Sequence, residues 1–127
     1  MASAKKKILI VDEEGFSRVC SAILNSEGYQ TSTALSAEKA ETNGLTDDVS
    51  LIVSSYPYAV SFLKSREARN IPTIVLSDEV NNDLIDLMKG INRSVCLVKP
   101  LDFERFKYLV RGIIDGRLKL TGRNIIA

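Results

Sequence analysis

Residues 8–13 read Ile8-Leu9-Ile10-Val11-Asp12-Glu13, four apolar side chains in a row followed directly by two carboxylates. A strand with one wet face alternates apolar and polar residues, whereas a run that is apolar at every position suits a strand covered on both faces. Such a strand belongs inside a parallel sheet with helices on either side. Sheets of that kind place their working residues just beyond the C-terminal ends of the strands. The acidic pair stands at that point.

Outward from this stretch the same grammar repeats. Over residues 14–26, Phe16, Val19, Cys20, Ile23 and Leu24 recur at helical spacing, and Gly28 follows as a stop. Residues 29–34 alternate and are rich in threonine, which predicts a second, more exposed strand. Ser36 caps a short polar helix predicted to about Thr42, ended by Asn43-Gly44. The third strand, residues 50–53, lies in the stretch VSLIVSSYP of residues 49–57, and Pro57 suits the first turn of a helix carrying Val60, Phe62 and Leu63. Residues 71–76 form a fourth strand, and residues 84–88 belong to a fourth helix closed by Gly90. Residues 95–98 make a fifth strand, and Asp102 caps a last helix carrying Phe103, Phe106, Leu109, Val110 and Ile113.

Five strands alternating with five helices predict an α/β fold. Short connections favour right-handed crossovers, and so a single flavodoxin-like (βα)5 domain over residues 1–115. Its five-stranded parallel sheet would run in the order 2-1-3-4-5 with helices on both faces. Residues 116–127 have no second core to join and read as a C-terminal tail or linker remnant.

Composition narrows the function. The chain has 127 residues, 45% of them hydrophobic, enough for one ordinary core. Net charge is +1 and the basic residues are scattered, so neither nucleic acid nor a membrane is expected as a partner. No apolar segment approaches the roughly 20 residues of a membrane span, and Asp12, Glu13 and Glu14 interrupt what would otherwise be a signal peptide. Two well-separated cysteines, Cys20 and Cys96, point to a reduced, cytoplasmic setting. Histidine is absent, which excludes Ser-His and Cys-His nucleophilic catalysis and histidine-ligated metals.

The chemistry of such a fold is sought after each strand. Asp12, Glu13 and Glu14 follow the first, Ser54 and Ser55 the third, Ser77 and Asp78 the fourth, and Lys99-Pro100 the fifth. Carboxylates, hydroxyls and one lysine therefore converge on one edge of the sheet. With the motifs ILIVDE at 8–13, IPTIVLS at 71–77 and VCLVKPLD at 95–102, the chain resembles the receiver domain of two-component response regulators over about residues 5–115. In that family the acidic pair holds Mg²⁺, and an aspartate ending the third strand accepts a phosphoryl group from a histidine kinase. A hydroxyl ending the fourth strand and the lysine of the Lys-Pro pair bind the phosphoryl oxygens. Catalysis there is positioning plus neutralisation of spread negative charge. The resemblance assigns Asp12 and Glu13 to the acidic pair, Ser77 to the hydroxyl and Lys99 to the lysine.

The departures from that pattern carry as much weight as the matches. Ser55 stands at the phospho-acceptor position, and an unactivated hydroxyl is a poor nucleophile at neutral pH. Pro57 follows too closely for the family's usual loop, whose backbone carbonyl helps to hold the metal. Asp78 replaces the small residue that admits the phosphoryl group, and Cys96 replaces the aromatic of the family's switch. Asp12 and Glu13 face Lys99 without a third carboxylate, so a lysine–carboxylate pair is expected to satisfy the site. Cofactors are accordingly expected to be none, with Mg²⁺ at Asp12 and Glu13 weak or absent, or partly restored through Asp78.

The resemblance thus implies an atypical receiver that is not an enzyme: a phosphorylation-independent interaction module in signal transduction. Its partners would be signalling proteins, a histidine kinase or an output protein, with homodimerisation left open. By resemblance its contact face is the fourth helix, fifth strand and fifth helix, with Asn81, Asn82, Arg93, Arg105, Tyr108 and Arg111. Two alternatives stand beside this reading. One is a phospho-competent receiver with weak Mg²⁺-dependent phosphotransfer to a non-standard acceptor such as Ser55. The other is a small-molecule or nucleotide-binding flavodoxin-like domain, against which no glycine-rich phosphate loop follows any strand.

Overall fold

The computed structural model describes residues 6–34, 48–118 and 124–126. The helix expected over residues 36–42 lies outside these residues. The elements run β1 (Lys7–Val11), α1 (Glu14–Ser26), β2 (Gln30–Ala34), β3 (Val49–Tyr56), α2 (Val60–Leu63), α3 (Arg66–Arg69), β4 (Thr73–Ser77), α4 (Asn82–Lys89), β5 (Ser94–Val98), α5 (Phe103–Ile114) and β6 (Asn124–Ile126). Every ladder is parallel. The sheet order is β2-β1-β3-β4-β5-β6, so the five-strand order 2-1-3-4-5 stands with one strand added. Among the described residues, no helix is long and apolar enough to cross a membrane.

The continuous apolar runs are explained by two separate cores. Leu9, Val11, Ile52, Val75 and Cys96 point to one face and pack with Phe62, Leu63, Leu84 and Met88 from α2 and α4. Their neighbours Ile8, Ile10, Leu51, Val53, Ile74, Leu76, Val95 and Leu97 point the other way, onto Cys20 and Leu24 of α1 and Phe106, Leu109 and Val110 of α5. Alternation along each strand is therefore intact, but both faces are dry. Phe62 and Phe106, one in each layer, are fully buried, each stabilising the fold by roughly 2–3 kcal/mol through transfer from water.

Besides β3, which runs three residues past its expected end and so carries Ser54 and Ser55 inside the strand and not after it, three features depart from the sequence reading. β4 begins at Thr73, two residues later than expected, because Pro72 has no N–H to give a ladder; its carbonyl instead accepts from Ile52 N–H (2.9 Å). The helix expected to start at Pro57 begins only at Val60 and breaks in two. Residues 57–59 form a turn closed by Ala59 N–H on the Ser55 carbonyl (2.9 Å), and Ser65 interrupts the helix to cap α3 by accepting from Ala68 N–H. A serine hydroxyl competing for a backbone amide is a sufficient cause for that break.

The third departure corrects the tail assigned to residues 116–127. Leu118 folds back onto the last helix: its N–H donates to the Gly112 carbonyl (2.9 Å) and its side chain joins the second core. A Cβ on Gly112 would stand 3.2 Å from the Leu118 Cβ, so glycine is what admits this approach. The chain then returns to the sheet, and Asn124, Ile125 and Ile126 pair with Ser94, Val95 and Cys96. An unpaired edge strand is a template for unwanted pairing, and this short strand covers it.

Candidate functional site

The parallel register sets the strand ends side by side. Val11 pairs with Ser54, Tyr56 with Ser77, and Ser77 with Val98. Asp12, Ser55, Ser77 and Lys99 are therefore gathered at one rim by the ladder itself, as the sequence predicts. What the sequence does not predict is how each side chain is engaged.

Asp12 lies at the centre and is 2% exposed. Ser55, 3% exposed, donates its hydroxyl hydrogen to Asp12 Oδ2. The N–H of Glu13 donates to Asp12 Oδ1 (2.8 Å), and Ser17 Oγ donates to the Asp12 carbonyl (3.1 Å). Both carboxylate oxygens thus have a donor, which offsets the cost of burying the charge. Ser54, the preceding residue, is buried and donates to the Val11 carbonyl (2.8 Å), pinning β3 to β1. Ser54 and Ser55 of the VSLIVSSYP stretch thus each have a structural partner.

Beyond this cluster the expected site residues are turned elsewhere. Glu13 is exposed at the N-terminal boundary of α1, and its carbonyl receives Ser17 N–H (2.9 Å). Ser77 Oγ donates to the Glu79 carbonyl (2.7 Å), closing the turn after β4. Asp78 is exposed. Lys99 is tied through its backbone N–H to the Ser77 carbonyl (2.8 Å), but its ammonium lies 5.8 Å from the centroid of the Phe16 ring. The expected lysine–carboxylate pair is therefore not formed among the described residues: Asp12 takes Ser55 and Glu13 N–H, and Lys99 takes an aromatic face. Ser17 and Phe16 were legible only as helix residues, and no spacing signal marked them as belonging to the site.

A hard cation of the Mg²⁺ type takes oxygen ligands in a near-octahedral set. Among the described residues no group of three or more Asp, Glu, Cys or His side chains converges on one point.

Burial governs both thiols. Cys96 is a core residue against the α2–α4 layer, and burial pushes its pKa up. Cys20 is pushed up to about 12, first by burial and second by the neighbouring Asp12 charge. Burial therefore favours the protonated thiol over the reactive thiolate at both positions.

Of the six residues expected on the contact face, three have structural tasks. Asn81 caps α4 by accepting from Leu84 N–H (2.9 Å), Arg93 donates to the Asn70 carbonyl (2.6 Å), and Arg111 pairs with Glu27 at 2.7 Å. Asn82, Arg105 and Tyr108 remain exposed, Tyr108 at 73%. Exposed apolar side chains accompany them: Ile85 on α4, Val98 on β5 and Phe103 on α5.

The sequence matches no protein-family model and none of the curated proteins compared with it. The fold, by contrast, has many solved counterparts, among them response regulators and a CheY-like receiver domain protein. The chemotaxis protein CheY4 of Vibrio cholerae superposes with a TM-score of 0.73 at 21% identity, over 87% of this chain and 99% of that one. A two-component response regulator from Clostridium difficile gives 0.76 at 18% identity, over 91% and 100%. A CheY-like receiver domain protein from Methanospirillum hungatei JF-1 gives 0.75 at 16% identity, over 90% and 97%. This chain has the receiver-domain fold.

Proposed function

We propose that this chain is a receiver-like module of signal transduction that works by protein contact and does not accept phosphate. One observation carries the reading: the phospho-acceptor seat holds a buried serine whose hydroxyl donates to Asp12. A phosphoryl group on Ser55 would set close to two negative charges against a buried carboxylate, a costly arrangement. Three further observations support it. The Ser77 hydroxyl is spent on a turn, Lys99 lies over Phe16, and Asp78 adds a negative charge at the rim. On this reading the module is not an enzyme, needs no Mg²⁺ and acts in the cytoplasm. It meets signalling proteins, a kinase or an output protein, through the face bearing Asn82, Arg105 and Tyr108.

A competing reading draws on the same hydrogen bond. Asp12 stands where a base for the Ser55 hydroxyl would stand, a role the sequence left empty for want of histidine. Incubation with a small-molecule phosphodonor and Mg²⁺, followed by intact mass, separates the two. The expected result is an unmodified chain and a pull-down whose partners are unchanged by Ser55→Asp. A clear species heavier by one phosphoryl group overturns the proposal.

A further inference from the structure

One unassigned concavity lies away from the rim cluster, in the groove between α2–α3 and α4. It encloses about 420 Å³, within the range of sites that hold a ligand fragment or an anchoring side chain. Tyr56, Leu63 and Leu87 supply its apolar lining. Lys64 and Arg69 line it from the α2–α3 side, and Asp83 lines it from the first turn of α4. All three charged residues are exposed. No ion pair or side-chain hydrogen bond engages Tyr56, Lys64, Arg69 or Asp83 among the described residues, whereas nearby Asp86 already faces Lys89 at 3.8 Å.

Cations on one wall and an anion on the other, none with a partner among the described residues and with apolar side chains between, define the shape of a complement. We propose that this groove is a docking site for a partner protein's segment carrying an apolar anchor between an acidic and a basic residue. The acid meets Lys64 and Arg69, the base meets Asp83, and the anchor lies on Leu63 and Leu87. The Tyr56 hydroxyl is left to bond the segment's backbone. Tyr56 directly follows Ser55 in β3, so the groove is joined to the rim cluster through one strand. Complementary charges of this kind set register and orientation more than bulk affinity. The proposal rests on reading the chain as a protein-contact module and gives that module a specific recognition chemistry.

The test is a titration of the isotopically labelled full chain, followed by amide NMR shifts, with a capped tripeptide of glutamate, leucine and lysine. Saturable shifts are expected at the amides of Tyr56, Leu63 and Leu87. Lys64→Glu and Asp83→Lys should each weaken binding about two- to fivefold, the scale of one exposed ion pair. The charge-swapped double variant should regain it, because the tripeptide can bind reversed. The spectra also report that each variant is folded. Absence of saturable shifts at these amides overturns the proposal, as do equal shifts from tripeptides carrying two glutamates or two lysines. Intact mass after phosphodonor treatment is scored on the same sample. A phosphorylated chain that still binds the tripeptide overturns phosphate independence alone, and an unmodified chain that fails to bind overturns the groove alone.

Discussion

The Ser55 hydroxyl at the end of β3 donates to the carboxylate of Asp12 at the end of β1, across 43 positions of sequence. This one bond joins the ends of two neighbouring strands through a buried polar pair. Together with Glu13 N–H it leaves neither carboxylate oxygen of Asp12 without a donor. It also makes Ser55 a structural residue, with a measurable weight.

Removing that hydroxyl should cost stability. Ser55→Ala leaves a buried carboxylate oxygen short of a donor, and a hydrogen bond to a charged group is worth about 1.5–3 kcal/mol. Ser55→Asp should cost more near neutral pH, because two carboxylates then share one buried site. The second variant alone should recover stability when millimolar Mg²⁺ is added. Urea midpoints of the three proteins with and without Mg²⁺ check this. An Mg²⁺ response in the unmodified chain, or no loss in Ser55→Ala, would count against the cluster as described.

Legibility of the sequence divides along a physical line. β1 and β5 could be read because nearly every position in them is apolar, and Asp12, Ser77 and Lys99 could be placed because ladder register follows from strand order. The partners of those side chains could not be read. Whether Lys99 meets a carboxylate or the Phe16 ring depends on how α1 is rotated over the sheet, which no local pattern encodes. The sixth strand was missed for a related reason. Three residues are too few to show a period, and their pairing is decided by the vacant edge of β5 and by the fold-back of Leu118 on Gly112.

Alkaline pH should destabilise the chain through Cys20. Its folded pKa of about 12 lies above the ordinary thiol value of 9.0. Between those values the unfolded chain releases this proton and the folded chain keeps it. Stability from this group is therefore complete below pH 9 and is lost as pH rises toward 12, with a limiting slope of about 1.4 kcal/mol per pH unit. Cys20→Ala, compared at equal pH steps, should show a shallower decline although it starts less stable. Native Cys20 and Cys96 should also resist alkylation at neutral pH. Parallel slopes in the two proteins would remove Cys20 as the cause.

The start of α5 should depend on Asp102. Its Oδ1 accepts from Glu104 N–H (3.0 Å) and Arg105 N–H (3.2 Å), satisfying two of the amides that an α-helix leaves free at its beginning. Asp102→Ala should cost about 1 kcal/mol, and Asp102→Asn less, since asparagine caps nearly as well. Thermal melts of the two variants check the order. Phe106, buried one turn later, should keep the helix docked in both.

Deleting residues 119–127 should leave the domain folded while uncovering one edge of it. Leu118, the last residue retained, still packs on the second core and still bonds Gly112. The buried members described for the two apolar layers over β1, β3, β4 and β5 all precede residue 119. What disappears is the ladder between Ser94–Cys96 and β6, so backbone groups on the outer side of β5 meet solvent. Amides on that edge should exchange with solvent markedly faster, while those of β1 and β3 keep their protection. An exposed edge strand next to the apolar Val98 should also favour association, seen as a concentration-dependent increase in mass by light scattering. Unchanged exchange across residues 94–96 would mean that β6 contributes nothing to the sheet, and global loss of protection would mean that the segment is part of the core and not its cover.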